Sequence, residues 1–333
     1  MTAQTKNAES YFKNIFTDKL NRRIFIRQWG VLLVFAGILL IIGIIKPNFY
    51  NSTNIKSILN IASIIGFITL GETLVVITRD YDLSVGNLMG LCTVGIAIVM
   101  IWFKNGNPIL ASFISFLMPL AIGLFFGLIN SLSVVRLKIP SFIATIGIMW
   151  VTRGIAYYIL RGVPKPVNDT IKLVGRKEFF NLPLSFIVFI FIAVIFHIVL
   201  TKTRLGLHIY SLGSDSHAAL ISGVSFVKIK TFVYVMSGFF AGLAAIFLAG
   251  WTGTGYPRIS DGYEMYALSG VALGGISFSG GSGNVFTPFV GICILQILDK
   301  FMIYQNISPF ISNIFVGSIL IISLYIQYRG AQE

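Results

Sequence analysis

The sequence predicts an all-α polytopic membrane protein of about ten transmembrane helices, and three observations carry that prediction. Of 333 residues, 56% are hydrophobic and only 11% are charged, and the mean hydropathy of +0.85 is too high for a water-soluble domain of this length. The apolar residues come in runs of about 20, the length a helix needs to cross a bilayer. There the backbone finds no water and must bond within its own segment. The runs do not alternate polar and apolar residues, which excludes a closed barrel.

In chain order the expected spans are 29–45, 58–78, 83–103, 109–134, 142–160, 183–200, 227–250, 263–276, 285–302 and 307–326. The first follows "YFKNIFTDKLNRRIFIRQW", whose aromatic and basic residues recur at helical spacing, so 1–28 reads as an amphipathic segment on the inner surface. Its apolar run ends in "IIKPNFY" with no small-residue cleavage site, which favours an uncleaved span over a signal peptide. The second and third spans flank "ITRDYDLSVG", one base and two acids within four residues. That stretch is either a solvated turn with Arg79 near headgroups, or a broken, partly re-entrant element with Asp82 and Ser84 as helix caps. The eighth span is short and glycine-rich and leads into "GGISFSGGSGN", where small residues suit a close helix approach or a broken helix. Residues 29–326 thus form one membrane domain, and 327–333 a tail.

Six bases precede residue 29, and with that end inside the cell fourteen Lys and Arg are cytoplasmic and ten external, with Arg153 deep within a span. Both termini are then cytoplasmic. The formal net charge of +13 belongs to short loops beside spans, so topology and anionic lipid account for it, and no nucleic-acid fold pattern appears. "GGISFSGGSGN" lacks the Gly-Lys-Ser/Thr of a phosphate loop. His197, His208 and His217 have no metal-ligand spacing, and Cys92 and Cys293 read as apolar packing residues. No nucleophile motif is present. The chain is therefore not expected to be an enzyme or to hold a metal. The intramembrane polar residues Glu72, Asn130 and Arg153 are candidates for a translocation path, or else interhelical hydrogen-bonding groups.

The loop 202–226 contains "SLGSDSHAALISGV", with Asp215 able to cap a short helix and Gly223 able to stop it. With the following "KIKTFVYVMSGFFAGLAA" it resembles the loop by which permeases of ATP-binding-cassette importers engage their ATPases. The resemblance extends through "GETLVVITRDYDLSVGNLMGL", "LKIPSFIATIGIMWVTRG" and "GYEMYALSGVALGGISFSGGSGNVFTPFVG", which look like successive signatures of ribose-type sugar importer permeases. Where the family usually has Gly-Gly-Ile, this chain has Arg79, Asp80 and Tyr81, a form leaning toward the autoinducer-2 and rhamnose branches.

The resemblance implies a multi-pass subunit of a bacterial cytoplasmic (inner) membrane, paired with a second permease copy or paralogue around a sugar path. Two separate ATPase subunits would hold the ATP and Mg, this chain holding no cofactor, and a periplasmic or lipid-anchored binding protein would deliver the solute. ATPase coupling would fall to Asp215, Ser216, His217, Ala218, Ala219, Leu220, Ser222 and Gly223. Spans two to five and seven to ten would form two inverted-repeat halves. Asp82, Ser84 and Gly86, and Gly280, Gly281 and Gly283, would mark corresponding broken-helix positions in them. A secondary sugar carrier or channel is the alternative, and the solute stays open among ribose, other pentoses, rhamnose, autoinducer-2 and nucleosides.

Overall fold

The computed structural model describes residues 19–103 and 106–332. Residues up to Phe49 form one unit and those from Tyr50 a second. In the first, α1 (Lys19–Ile45) is continuous: the part of the expected surface segment that is described, 19–28, runs into the first apolar stretch without a break, and 1–18 lie outside the described residues.

The second unit opens with α2 (Ser52–Ile77), which starts six residues before the apolar run because Asn51 accepts the Asn54 N–H at 2.9 Å and caps it. Next come α3 (Val85–Trp102), α4 (Pro108–Ser131), a π turn (Leu132–Arg136) and α5 (Ser141–Leu160). The basic loop after α5 is structured, holding α6 (Asp169–Arg176), a β1 (Lys165–Pro166) paired antiparallel with β4 (Thr254–Gly255), and a β2–β3 hairpin (Glu178–Phe179, Leu182–Pro183). Then follow α7 (Leu184–Lys202), α8 (Arg204–Ser214), α9 (Ser216–Ile221), α10 (Phe226–Thr252), α11 (Tyr263–Leu273), α12 (Phe286–Tyr304) and α13 (Pro309–Gln332).

Among the described residues, seven helices are long and apolar enough to cross a membrane: α2, α3, α4 with its π turn, α5, α7, α10 and α12. α1 and α13 carry shorter apolar stretches, Trp29–Ile45 and Phe310–Ser323. The expected eighth span is shorter than expected. α11 has 11 residues, about 16 Å at 1.5 Å per residue, or half the hydrocarbon thickness. Left-handed glycines bound it, Gly262 at φ 87° before it and Gly275 at φ 73° after it.

The core forms around α2 and α10. From Ile58 to Ile77 nearly every α2 residue is buried, whereas only 28%, 33% and 22% of the apolar windows of α4, α5 and α7 are buried. The outer faces of those three must meet lipid or another subunit. α4 and α10 cross at backbone contact: a Cβ on Gly123 would lie 2.2 Å from the Gly238 carbonyl oxygen, and one on Gly242 2.4 Å from that of Pro119. Gly123 and Gly127 face Gly238 and Gly242, two small-xxx-small pairs that let the helices touch where apolar surface gives no drive for association in lipid.

Candidate functional site

α2 ends at Ile77, and Arg79 takes a left-handed φ of 64°. That turn aims its guanidinium away from α2, so that Nε donates to the Ser279 carbonyl and Nη2 to the Ser214 carbonyl, each at 2.5 Å. One side chain thereby joins the α2–α3 turn, the glycine-rich segment after α11 and the end of α8. The Gly281 N–H donates to the Ile77 carbonyl at 2.9 Å, the Tyr210 hydroxyl to the Gly283 carbonyl at 2.8 Å, and Tyr81 stacks on Phe278 at 5.8 Å. Space for side chains is absent: a Cβ on Gly213 would lie 1.8 Å from the Ile77 carbonyl oxygen, and one on Gly281 2.3 Å from Ser214 Oγ.

The glycine-rich motif therefore meets the turn that precedes Asp82, Ser84 and Gly86. The positions of the two motifs in the order of helices differ from expectation: Asp82 and Ser84 lie between the second and third spans, whereas Gly280, Gly281 and Gly283, all with positive φ, lie between the eighth and ninth. Under the expected inverted repeat, the counterpart of the α2–α3 turn would be the 253–262 loop. That loop packs back along α3, with Tyr256 N–H on Thr93 Oγ1 at 3.3 Å and Ser260 Oγ on the Gly86 carbonyl at 2.8 Å. Gly86 itself is helical, two residues into α3.

Behind the junction lies a closed polar centre. Glu72 is fully buried and accepts the Asp82 N–H on both oxygens, at 3.2 and 3.3 Å. Asp82 Oδ1 accepts from Ser84 Oγ at 2.6 Å, Ser84 N–H at 3.1 Å and Asn130 Nδ2 at 3.2 Å, while Oδ2 accepts from Ser237 Oγ at 2.8 Å. Of the two caps that a broken element would offer, Ser84 spends its hydroxyl on Asp82, and its side chain makes no cap bond. Lys230, 4% exposed, donates to Asp80 Oδ2 at 2.5 Å and to the Thr78 carbonyl at 2.6 Å. Of the three candidate path residues, Glu72 and Asn130 are thus locked among α2, α4 and α10. Arg153 is elsewhere on α5, 30% exposed and 3.3 Å from Asp261.

The loop 202–226 forms two helices. Thr203 caps α8, which was not anticipated although Thr203 and Gly206 stand at its start. As expected from the sequence, Asp215 caps α9, accepting the His217 and Ala218 N–H groups at 2.9 and 3.0 Å, which holds its carboxyl below the usual aspartate range. Gly223 at φ 84° closes α9, its N–H reaching the Leu220 carbonyl and that of Val224 the Ala219 carbonyl. Ser216, His217, Ala218, Leu220, Ser222 and Gly223 are exposed, whereas Ala219 is turned inward at 4%. Leu220 and Ile221 stand out at 50% and 76% exposure, an apolar tip on a largely polar loop.

At the other end of α2 and α10 lies a cavity of about 490 Å³, lined by Lys56, Arg176, Lys177 and Lys300 against one acid, Glu178. Lys56 pairs with Glu178 at 2.7 Å, and Arg176 Nε bonds the Trp251 carbonyl at 3.2 Å. Among the described residues no cluster of His, Cys, Asp and Glu could hold a metal ion.

Residues 54–324 match the family described as "Branched-chain amino acid transport system / permease component". Over 88% of its length, and 88% of the relative's, the chain is 32% identical to the L-arabinose transport system permease of Escherichia coli K12. It is 28% identical to the ribose import permease of Bacillus subtilis 168, over 98% and 99% of the two chains. To the galactose/methyl galactoside import permease of Salmonella typhimurium LT2 it is 30% identical, over 92% and 96%. No solved structure matches the chain. Its membrane-length helices, its broken turns and a family match across most of its length agree: the chain belongs to this family of multi-pass transport permeases.

Proposed function

We propose that the chain is the membrane subunit of an ATP-binding-cassette importer for a monosaccharide or sugar-like solute in a bacterial cytoplasmic membrane. Separate ATPase subunits bind ATP and Mg and dock on α9, a binding protein delivers the solute outside, and a second permease copy or paralogue completes the path. Both termini are cytoplasmic, and 29–326 work as one domain. The relatives transport arabinose, ribose and galactose by name, which supports an aldose; the Arg79-Asp80-Tyr81 departure keeps rhamnose and autoinducer-2 within the proposed range of solutes.

The observation that carries this reading is the path from loop to membrane. α9 presents Leu220 and Ile221 to a partner, α8 connects α9 to the junction, and Arg79 bonds the end of α8 to both broken turns. Movement imposed on α9 reaches the glycine-rich segment and the start of α3 through hydrogen bonds, with no chemistry in this chain. In Ile221→Asp, a charge replaces an apolar tip that must be buried on docking. The expected result is normal insertion, loss of ATPase co-purification and loss of uptake together. Uptake at parental rate in Ile221→Asp, with the ATPase absent, would replace this reading by a secondary carrier.

A further inference from the structure

Arg153 is seven residues from the end of α5 and twelve from its start, so it lies roughly 10 Å and 18 Å from the two ends of that helix at 1.5 Å per residue. At that depth its guanidinium is 30% exposed, and Asp261, which it touches at 3.3 Å, is 27% exposed. Arg258 donates to the same carboxylate oxygen at 3.0 Å and is 57% exposed. An ion cluster left open on a span cannot face hydrocarbon, so this face of α5 must meet water or a partner subunit.

Its other groups narrow the choice. Trp150, Arg153 and Tyr157 recur at i, i+3 and i+7, one stripe of α5. Trp150 is 60% exposed, and the guanidinium lies 5.4 Å from the Trp150 ring centre and 6.0 Å from that of Tyr157. Among the described residues, the Arg153 fork donates one hydrogen bond to a side chain, which leaves donors open. Asp261 spends Oδ2 on both arginines and so fixes their forks, while its Oδ1 is closed from solvent. An open aromatic face and unsatisfied guanidinium donors make a set that binds a polyhydroxylated ring: the aromatic takes the C–H face and the donors take hydroxyl oxygens.

We infer that Trp150, Arg153, Tyr157, Arg258 and Asp261 form a polyol-binding patch on the solute path, in place of the closed Glu72–Asn130 centre. The patch rests on the import reading above and deepens it. It also touches the moving parts. Asp261 ends the 253–262 loop, and Glu264 in the next turn lies against α3 so closely that a Cβ on Gly86 would be 1.8 Å from Glu264 Oε2. A shift of the α2–α3 turn therefore bears on the patch directly.

The test uses the full chain in native membranes, with Cys92→Ala and Cys293→Ala as background and either Gly154→Cys or Phe191→Cys added. Gly154 is exposed between Trp150 and Tyr157 with open space for a side chain, so the patch residues stay in place, and Phe191, on α7, is 67% exposed in an apolar stretch and reports the lipid face. A cationic methanethiosulfonate reagent should modify the Gly154→Cys chain about tenfold faster than the Phe191→Cys chain, because only water carries a charged reagent. Within a panel of aldopentoses and aldohexoses in large excess, at least one should slow that modification, and Asp261→Asn or Arg258→Gln should remove the protection without slowing the unprotected reaction. Equal slow modification at both positions, or no protection by any aldose, overturns the patch. ATP-driven uptake without protection would sink the patch alone; protection without ATP-driven uptake would keep the patch and sink the import reading.

Discussion

At Arg79 the backbone takes φ 64°, which costs a non-glycine residue on the order of 1 kcal/mol or more, and two short hydrogen bonds to carbonyls offset it. Its departure from the family pattern was legible in sequence. Its role was not, because its partners lie 135 and 200 residues away along the chain. Glu72 is the reverse case: a lone carboxylate in an apolar run marks itself, yet the sequence left a path role and a hydrogen-bonding role equally open. The geometry supports the latter, since both its oxygens face the Asp82 N–H and the residue is closed from solvent. Glu72→Gln keeps a carbonyl acceptor there, and uptake should persist and ignore a proton uncoupler while ATP is maintained. Glu72→Leu strands a buried N–H, a loss of about 1–3 kcal/mol, and should lower the melting temperature and expression. Uptake by Glu72→Gln that follows the proton gradient at constant ATP would return Glu72 to the path.

Among the elements, the long helices were legible because spans of apolar residues at membrane length admit one reading. α11 was not fully legible. Its composition continues past Leu273, and only the left-handed backbone at Gly275 cuts it short. α9 was legible through its ends, Asp215 and Gly223, which are local signals. Which side of α9 faces a partner was not, because Ala218 and Ala219 look alike in sequence and only the second is buried. Asp215 also sets a pH dependence. Hydrogen bonds from the Ala218 and His217 N–H groups, in that order of weight, hold its carboxyl below the usual range. The cap's contribution is therefore complete above the ordinary aspartate pKa and is lost as pH falls through the lowered native value. ATPase docking should be flat through neutral pH and weaken only in acid. Asp215→Asn, which retains a capping oxygen, should dock at neutral pH and lose the acid dependence, while Asp215→Ala should dock weakly at every pH. Equal docking by Asp215→Ala and the parent at pH 7 would show that the cap does not hold the docking surface.

For the whole molecule, orientation ties the two ends of the bundle to different partners. Bases were counted in sequence, but their gathering into one cavity needed α2, α6, α10 and α12 to be brought together, which loop charges alone do not reveal. Lys56, Arg176, Lys177 and Lys300 face one carboxylate, Glu178, so the cavity attracts an acidic surface, and on the proposed topology it opens outside, where the binding protein docks. Impermeant thiol reagents in intact cells should modify Phe180→Cys, 97% exposed beside this cavity, and spare Ser216→Cys on α9; the opposite pattern inverts the molecule and removes the ATPase from α9. Charges at the rim of an interface act mainly on encounter, and the Debye length shrinks from about 30 Å at 0.01 M to about 10 Å at 0.1 M salt. Lys177→Glu reverses one rim charge without touching the Arg79 junction or the α5 stripe. It should raise the binding-protein concentration needed for half-maximal uptake at low ionic strength, converge on the parent at high salt, and leave the maximal rate unchanged. A lowered maximal rate with the half-saturating concentration unaltered would mean that the cavity acts on translocation and that the binding protein docks elsewhere.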